Sequence, residues 1–108
     1  MKFLVFGKLA RHGLPLKRVL PILKASKEWH EQKIKDGTID CLYNVIEGGG
    51  FAIQNHESTE DAYNALFDYP GYLLYDWEIT PLVDNKQIMD KSISRIEKAL
   101  ELQKQTGS

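Results

Sequence analysis

Cysteine is almost missing from this chain. Of 108 residues only Cys41 is a thiol, so no internal disulfide can form and nothing in the composition asks for an oxidising compartment. Long apolar runs are missing too. No stretch approaches the roughly 20 consecutive apolar residues that cross a bilayer, and Met1-Lys2-Phe3-Leu4-Val5-Phe6 runs straight into Gly7-Lys8 rather than into a signal-peptide core. The expectation is a cytoplasmic protein that does not span a membrane. Neither sign of charge is in excess: 14 Lys and Arg stand against 15 Asp and Glu, which argues against a nucleic-acid surface. The neighbouring bases Lys17 and Arg18 therefore read as solvated surface. His12, His30 and His56 share neither helical i, i+4 nor strand i, i+2 spacing, and Cys41 has no thiol partner, so no metal is expected. Gly48-Gly49-Gly50 lacks the strand-to-helix setting of a phosphate loop and reads as a turn, so no organic cofactor is expected either.

What is present is the material of one small globular domain, 43% hydrophobic and 27% charged. The run Phe3-Leu4-Val5-Phe6 makes Lys2 to Leu9 a strand with both faces covered. After Gly13 an amphipathic helix begins, either at Pro15 with a kink or, as the proline spacing favours, regularly only from Pro21. Val19, Ile22, Leu23, Ser26, Trp29, His30, Lys33 and Ile34 share one broad side, and Gly37 stops the helix near Lys35. Ile39 to Ile46 and Phe51 to Asn55 read as a hairpin around glycines with positive φ. Ser58-Thr59-Glu60-Asp61 resembles a capping box for a short helix from Thr59 to about Phe67, which Tyr69-Pro70-Gly71 breaks.

Tyr72 to Leu82 then reads as a single strand with two unlike faces. Leu73, Tyr75, Trp77 and Ile79 alternate with Tyr72, Leu74, Asp76 and Glu78, so the second face starts apolar, ends acidic, and could line a pocket. Asp84-Asn85-Lys86-Gln87 caps a last helix, Lys86 to about Gln105, with Ile88, Met89, Ser92, Ile93, Ile96, Ala99 and Leu100 in a stripe; Thr106-Gly107-Ser108 reads as a frayed end. Two parts are expected, a barrel domain over residues 1–84 and a helix over 85–108 that packs on that domain or on a partner subunit.

The order β-α-β-β-α-β with an added helix is the ferredoxin-like α+β arrangement, a four-stranded antiparallel sheet with both connecting helices on one face. The other face is open, yet Leu4 and Phe6 oppose Phe3 and Val5, and Leu42 and Ile46 oppose Ile39, Cys41, Tyr43 and Val45. Neither face is polar. A second copy packed sheet to sheet, with the last helix extending the contact, is the expected cover.

Phe3-Leu4-Val5, Lys27-Glu28, Gly37, Phe51-Ala52-Ile53 with Glu57-Ser58, and Asp76-Trp77-Glu78-Ile79-Thr80-Pro81-Leu82 together resemble the muconolactone isomerase-like proteins of the dimeric α/β barrel superfamily, over roughly Met1 to Asp84. The resemblance implies proton transfer on an unsaturated lactone without metal or organic cofactor, in a homodimer or a larger ring of subunits. The long last helix and the glycine-rich hairpin depart from that pattern.

Proton transfer beside a carbonyl needs a base, a donor for the developing enolate oxygen, and exclusion of water. Asp76 and Glu78 are the first candidates for the base. Same-face carboxylates two residues apart are separated by about 7 Å and repel by roughly 2 kcal/mol at an effective dielectric near 20, which in a closed pocket would poise one of them. The plainer reading is an edge strand carrying acids for solubility or for a salt bridge. Glu28 and His30 on the first helix could reach a pocket mouth; the plainer readings are a solvated acid and a packed, hydrogen-bonded histidine. Tyr43, with Tyr72 and Tyr75, could donate to an enolate oxygen, although core or interface is the commoner place for tyrosine, as for Trp29 and Trp77. Cys41 as a nucleophile would need a base nearby in space.

Two functions follow. One is a cofactor-independent isomerase, or a related lyase or cyclase, for a small oxygenated ring compound. The other is a non-catalytic ligand-binding or assembly module on the same dimeric barrel, which the long last helix favours.

Overall fold

The computed structural model describes residues 1–106, and the rest of the expected frayed end, Gly107 and Ser108, lies outside the described residues. Four strands, β1 (Lys2–Leu9), β2 (Ile39–Asn44), β3 (Gly50–Asn55) and β4 (Tyr75–Leu82), form one antiparallel sheet in the order β2-β3-β1-β4. Three helices, α1 (Leu16–Lys35), α2 (Thr59–Phe67) and α3 (Asn85–Gln105), complete the expected ferredoxin-like order.

Register fixes which side chains share a face. Val5 is opposite Ala52 on one side and Ile79 on the other, so Phe3, Val5 and Gly7 point the same way as Ala52, Gln54, Trp77 and Ile79. That face carries the core, in which Phe3 and Val5 meet Ala62 and Leu66 of α2, with Tyr72, Trp77 and Ile79 packed alongside. Phe3 is fully buried. Phe3→Ala is accordingly expected to cost about 3–5 kcal/mol, a large share of the roughly 5–15 kcal/mol that holds a domain folded; a chemical-denaturation midpoint left unmoved would refute this placement of the core.

Local signals succeed at the caps. The Ser58 hydroxyl accepts from the Asp61 N–H at 3.1 Å, and Asp84 accepts from the N–H of Lys86 at 2.8 Å, one residue before α3 begins. Gly37 follows α1 with φ +84°.

Four smaller expectations are corrected first. Helix α1 begins at Leu16, before Pro21: the Pro15 carbonyl already accepts from Arg18 and Val19, and Lys17, whose bond Pro21 removes, faces water. Leu23 and Ile34 are exposed although their spacing put them on its buried side. In the second strand, Ile39 and Cys41 do not share a face. A bulge at Asp40 intervenes, its carboxylate bonded by the Lys2 ammonium and by Asn55 Nδ2, and this turns Ile39, Leu42 and Asn44 toward the helices. The hairpin is also shorter than expected, since β2 ends at Asn44, Ile46 is fully exposed, and Gly50 already belongs to β3.

The largest correction concerns Tyr72 to Leu82. Tyr72–Leu74 form a 3-10 turn and the strand starts only at Tyr75. The Leu74 carbonyl accepts from Ala10 and Arg11 at 2.9 and 3.2 Å, and the Trp77 indole N–H donates to the Tyr72 carbonyl at 2.8 Å. These bonds satisfy backbone groups that a strand would leave bare beyond the end of β1. Leu74 is therefore buried and Leu73 is 69% exposed, the reverse of the alternating pattern.

Leu4, Phe6, Cys41, Tyr43, Phe51 and Ile53 form an apolar stripe on the open face of the sheet. No described residue of α3 is buried, and the molecule extends 73 Å with a radius of gyration of 20.3 Å, against about 13 Å for a compact domain of this length. The domain that bears α3 does not cover it.

Candidate functional site

A cleft opens on the helix-covered face, between α1, the end of α2 and the middle of the sheet, with a volume of about 550 Å³ including its open mouth. Its floor is built where side chains are missing. A Cβ on Gly7 would stand 2.7 Å from the Trp77 ring, and one on Gly49, whose φ is +99°, would stand 2.0 Å from the Gly7 carbonyl oxygen. Glycine thus lets the hairpin close on β1 and lets the indole lie flat across it.

The walls are aromatic. His30 stacks on Tyr69 at 5.1 Å between ring centroids, Trp29 meets both, and Tyr69 meets Trp77 edge to face at 5.5 Å, with Tyr75 beyond. Polar groups reach the cleft from His30, Asn44, Gln54, Tyr69 and Tyr75, while no Asp, Glu, Lys or Arg is among its described lining residues.

Burial sets the protonation of these groups. It lowers the His30 pKa from the ordinary histidine value, which leaves a neutral imidazole at pH 7. It raises the Tyr69 pKa, helped by the nearby Tyr75 and opposed by the Ser26 hydroxyl, so the phenol keeps its proton. Ser26 Oγ is itself buried without a well-formed hydrogen bond among the described residues. His56, beside the cleft, is lowered chiefly by burial as well, against the pull of Asp61.

These histidines give stability a pH dependence of known sign. Their folded-state pKa values lie below the unfolded one, so the unfolded chain binds more protons as pH falls through the unfolded value near 6.5. Stability is expected to be full above that pH and to drop below it, down to the folded-state pKa values. Urea midpoints from pH 7.5 to 5 measure this, and the variant His30→Gln should flatten the curve; an unchanged slope in that variant would count against the burial of His30.

The five residues singled out as candidates in the sequence occupy three places. His30 lines the cleft. Glu28 is exposed on α1, and Tyr43, 60% exposed, lies on the open face beside Phe51. Asp76 and Glu78 are also exposed on the open face, opposite Lys8 and Phe6, with the sheet between them and the cleft. Of the other aromatics, Tyr75, Trp29 and Trp77 line the cleft, and Tyr72 stands outside it against Phe67. Tyr69 and Gln54 went unnoticed. The first reads as a helix breaker before Pro70-Gly71; the second does carry a signal, as a polar residue at an inward position of an apolar strand. Among the described residues no cluster of three or more His, Cys, Asp or Glu side chains could hold a metal ion.

No family model matches the chain, and no curated protein is similar to it in sequence. Its fold is nevertheless that of solved structures. It is similar to muconolactone isomerase, with a TM-score of 0.71 at 17% identity over 79% of this chain and 91% of that one. It is also similar to 5-chloro-2-hydroxyhydroquinone dehydrochlorinase from Burkholderia phenoliruptrix AC1100, solved in complex with 2,5-dihydroxybenzoquinone, with a TM-score of 0.66 at 16% identity over 81% and 98%. At such identity the likeness establishes the fold. About a fifth of this chain has no counterpart in either.

Proposed function

We propose that this protein is a cofactor-independent isomerase, or a related lyase or cyclase, that moves a proton on a small oxygenated ring compound such as an unsaturated lactone. The observation that carries the reading is a neutral imidazole, His30, stacked on a protonated phenol, Tyr69, in an aromatic cleft with no Asp, Glu, Lys or Arg among its described lining residues. A base is best matched to neutral pH when its proton affinity is modest, and His30 meets that condition. It takes a proton beside the ring carbonyl and returns it at another carbon. Tyr69 or Tyr75 donates to the enolate oxygen formed between the two transfers, while Trp29 and Trp77 restrict water. One similar structure is named for a lactone and the other for a chlorinated hydroxyhydroquinone, which supports the substrate class.

In this reading the open faces of two copies meet, so the working unit is a homodimer or a larger homo-oligomer, in the cytoplasm. Asp76, Glu78 and Glu28 serve solubility or pairing. The test is hydrogen exchange into 2(5H)-furanone in heavy water, followed by NMR. The folded protein should speed the loss of ring-proton signals over buffer, and exchange at the buffer rate with this lactone and its methyl-substituted relatives would end the proposal. A second reading, a non-catalytic assembly module, draws support from α3, whose apolar residues Ile88, Met89, Ile93, Ile96 and Leu100 are all at least 44% exposed.

A further inference from the structure

Gln54 is the polar exception on the inward face of β3. It is only 5% exposed and lines the cleft. Its Oε1 lies 2.8 Å from His56 Nε2, so the imidazole donates there and the amide carbonyl is committed away from the cleft. His56 is itself held, its backbone N–H donating to the Met1 carbonyl at 3.0 Å and its ring lying 6.0 Å from that of the fully buried Phe3. What the Gln54 side chain has left to offer is its NH2, and no hydrogen bond among the described residues uses it. A buried amide held at one end cannot turn to suit its ligand. It presents a donor and no acceptor.

We propose that Gln54 is the fixed hydrogen-bond donor of the cleft, that His56 is the positioning residue that fixes it, and that the cleft therefore selects ring compounds presenting a carbonyl or enolate oxygen to the sheet. This deepens the proposed function by assigning what recognises the substrate oxygen, and it rests on that reading only for the identity of the cleft. A ring without that oxygen leaves the donor without a partner on the ligand, and an unmet hydrogen-bonding group is how such sites discriminate.

The experiment is an NMR titration of the full chain with 2(5H)-furanone and with 2,5-dihydrofuran, which keeps the ring and lacks the carbonyl, read from the indole N–H signals of Trp29 and Trp77. The wild-type protein should prefer the lactone by about tenfold, the size expected for one satisfied buried donor. Gln54→Leu should abolish the preference and His56→Leu should weaken it. In the Gln54→Leu background the second change should do nothing more, and His56→Gln, which retains a donor, should restore most of the preference. Equal binding of the two rings, no binding of either, an undiminished preference in Gln54→Leu, or additive effects of the two changes would each overturn the proposal. A readout that needs no variant is the ¹⁵N NMR of His56 in the free protein: the Nε2–H tautomer is expected, and Nδ1–H overturns the assignment. His30→Asn separates the two readings, since it should lose proton exchange while keeping the lactone preference; if exchange persists but the preference holds, the base assignment fails and this one stands.

Discussion

Replacing His30 with asparagine is expected to lower the proposed proton exchange in the lactone by about 10²–10⁴-fold, the usual contribution of a positioned base. Asparagine keeps a polar group on α1 and removes the one strongly basic nitrogen among the cleft's described lining residues. The loss of stacking on Tyr69 costs roughly 0.5–1.5 kcal/mol, too little to unfold the domain, so circular dichroism should be unchanged while the rate collapses. The wild-type pH profile carries the same information. A base works when deprotonated, and because burial lowers the His30 pKa, the rate should climb with pH and level off below the ordinary histidine value near 6.5. A wild-type rate in His30→Asn would remove His30 from the chemistry. Parallel measurements on Asp76→Asn, Glu78→Gln and Glu28→Gln decide the remaining carboxylates, and full rates in all three exclude them.

The second large effect concerns the open face. With the order β2-β3-β1-β4, Phe6 and Phe51 sit opposite each other on the two central strands, in the middle of the apolar stripe. The pair Phe6→Glu and Phe51→Glu would bury four unpaired carboxylates across a sheet-to-sheet contact, and burying charge without partners costs several kcal/mol. The dimer constant should weaken by more than roughly 10³-fold, which corresponds to about 4 kcal/mol, and sedimentation at micromolar concentration should show monomer. The core lies on the other side of the sheet, so the variant should still fold. A double variant that remains dimeric removes the sheet-to-sheet arrangement. Truncation after Asp84 completes the comparison: an unchanged assembly state would free α3 from any part in association, and its loss would favour the assembly reading.

The fold was readable because its signals are local. An apolar run, glycine stops, a capping serine and a hairpin of glycines each act within a few residues, and their order along the chain leaves one plausible topology. What failed had a non-local cause. The stretch Tyr72 to Leu74 alternates as a strand should, yet the N–H groups of Ala10 and Arg11, more than 60 residues earlier, hold the Leu74 carbonyl in a turn. Ile39 and Cys41 are likewise parted by a bulge whose Asp40 carboxylate is held by Lys2 and Asn55 from other strands. The site was legible only in part for the same reason. His30 could be nominated from its place on the amphipathic side of α1, but Tyr69, Gln54 and the glycine floor are brought together by strand register and hairpin closure, and register is not written in any one segment. The paired acids stood out in the sequence because polar residues on an apolar strand draw the eye, and such residues are also what an exposed face requires.

Helix α3 projects from the domain with none of its described residues buried. In proteins most helical stability comes from tertiary packing of an apolar face, which α3 does not find on its own domain. If a second copy is what covers α3, the order of Asn85–Gln105 and association become linked, and the free energy the helix gains by packing there is part of the binding free energy. Protein concentration would then be a conformational variable, and helix content that rises with it is the expected sign.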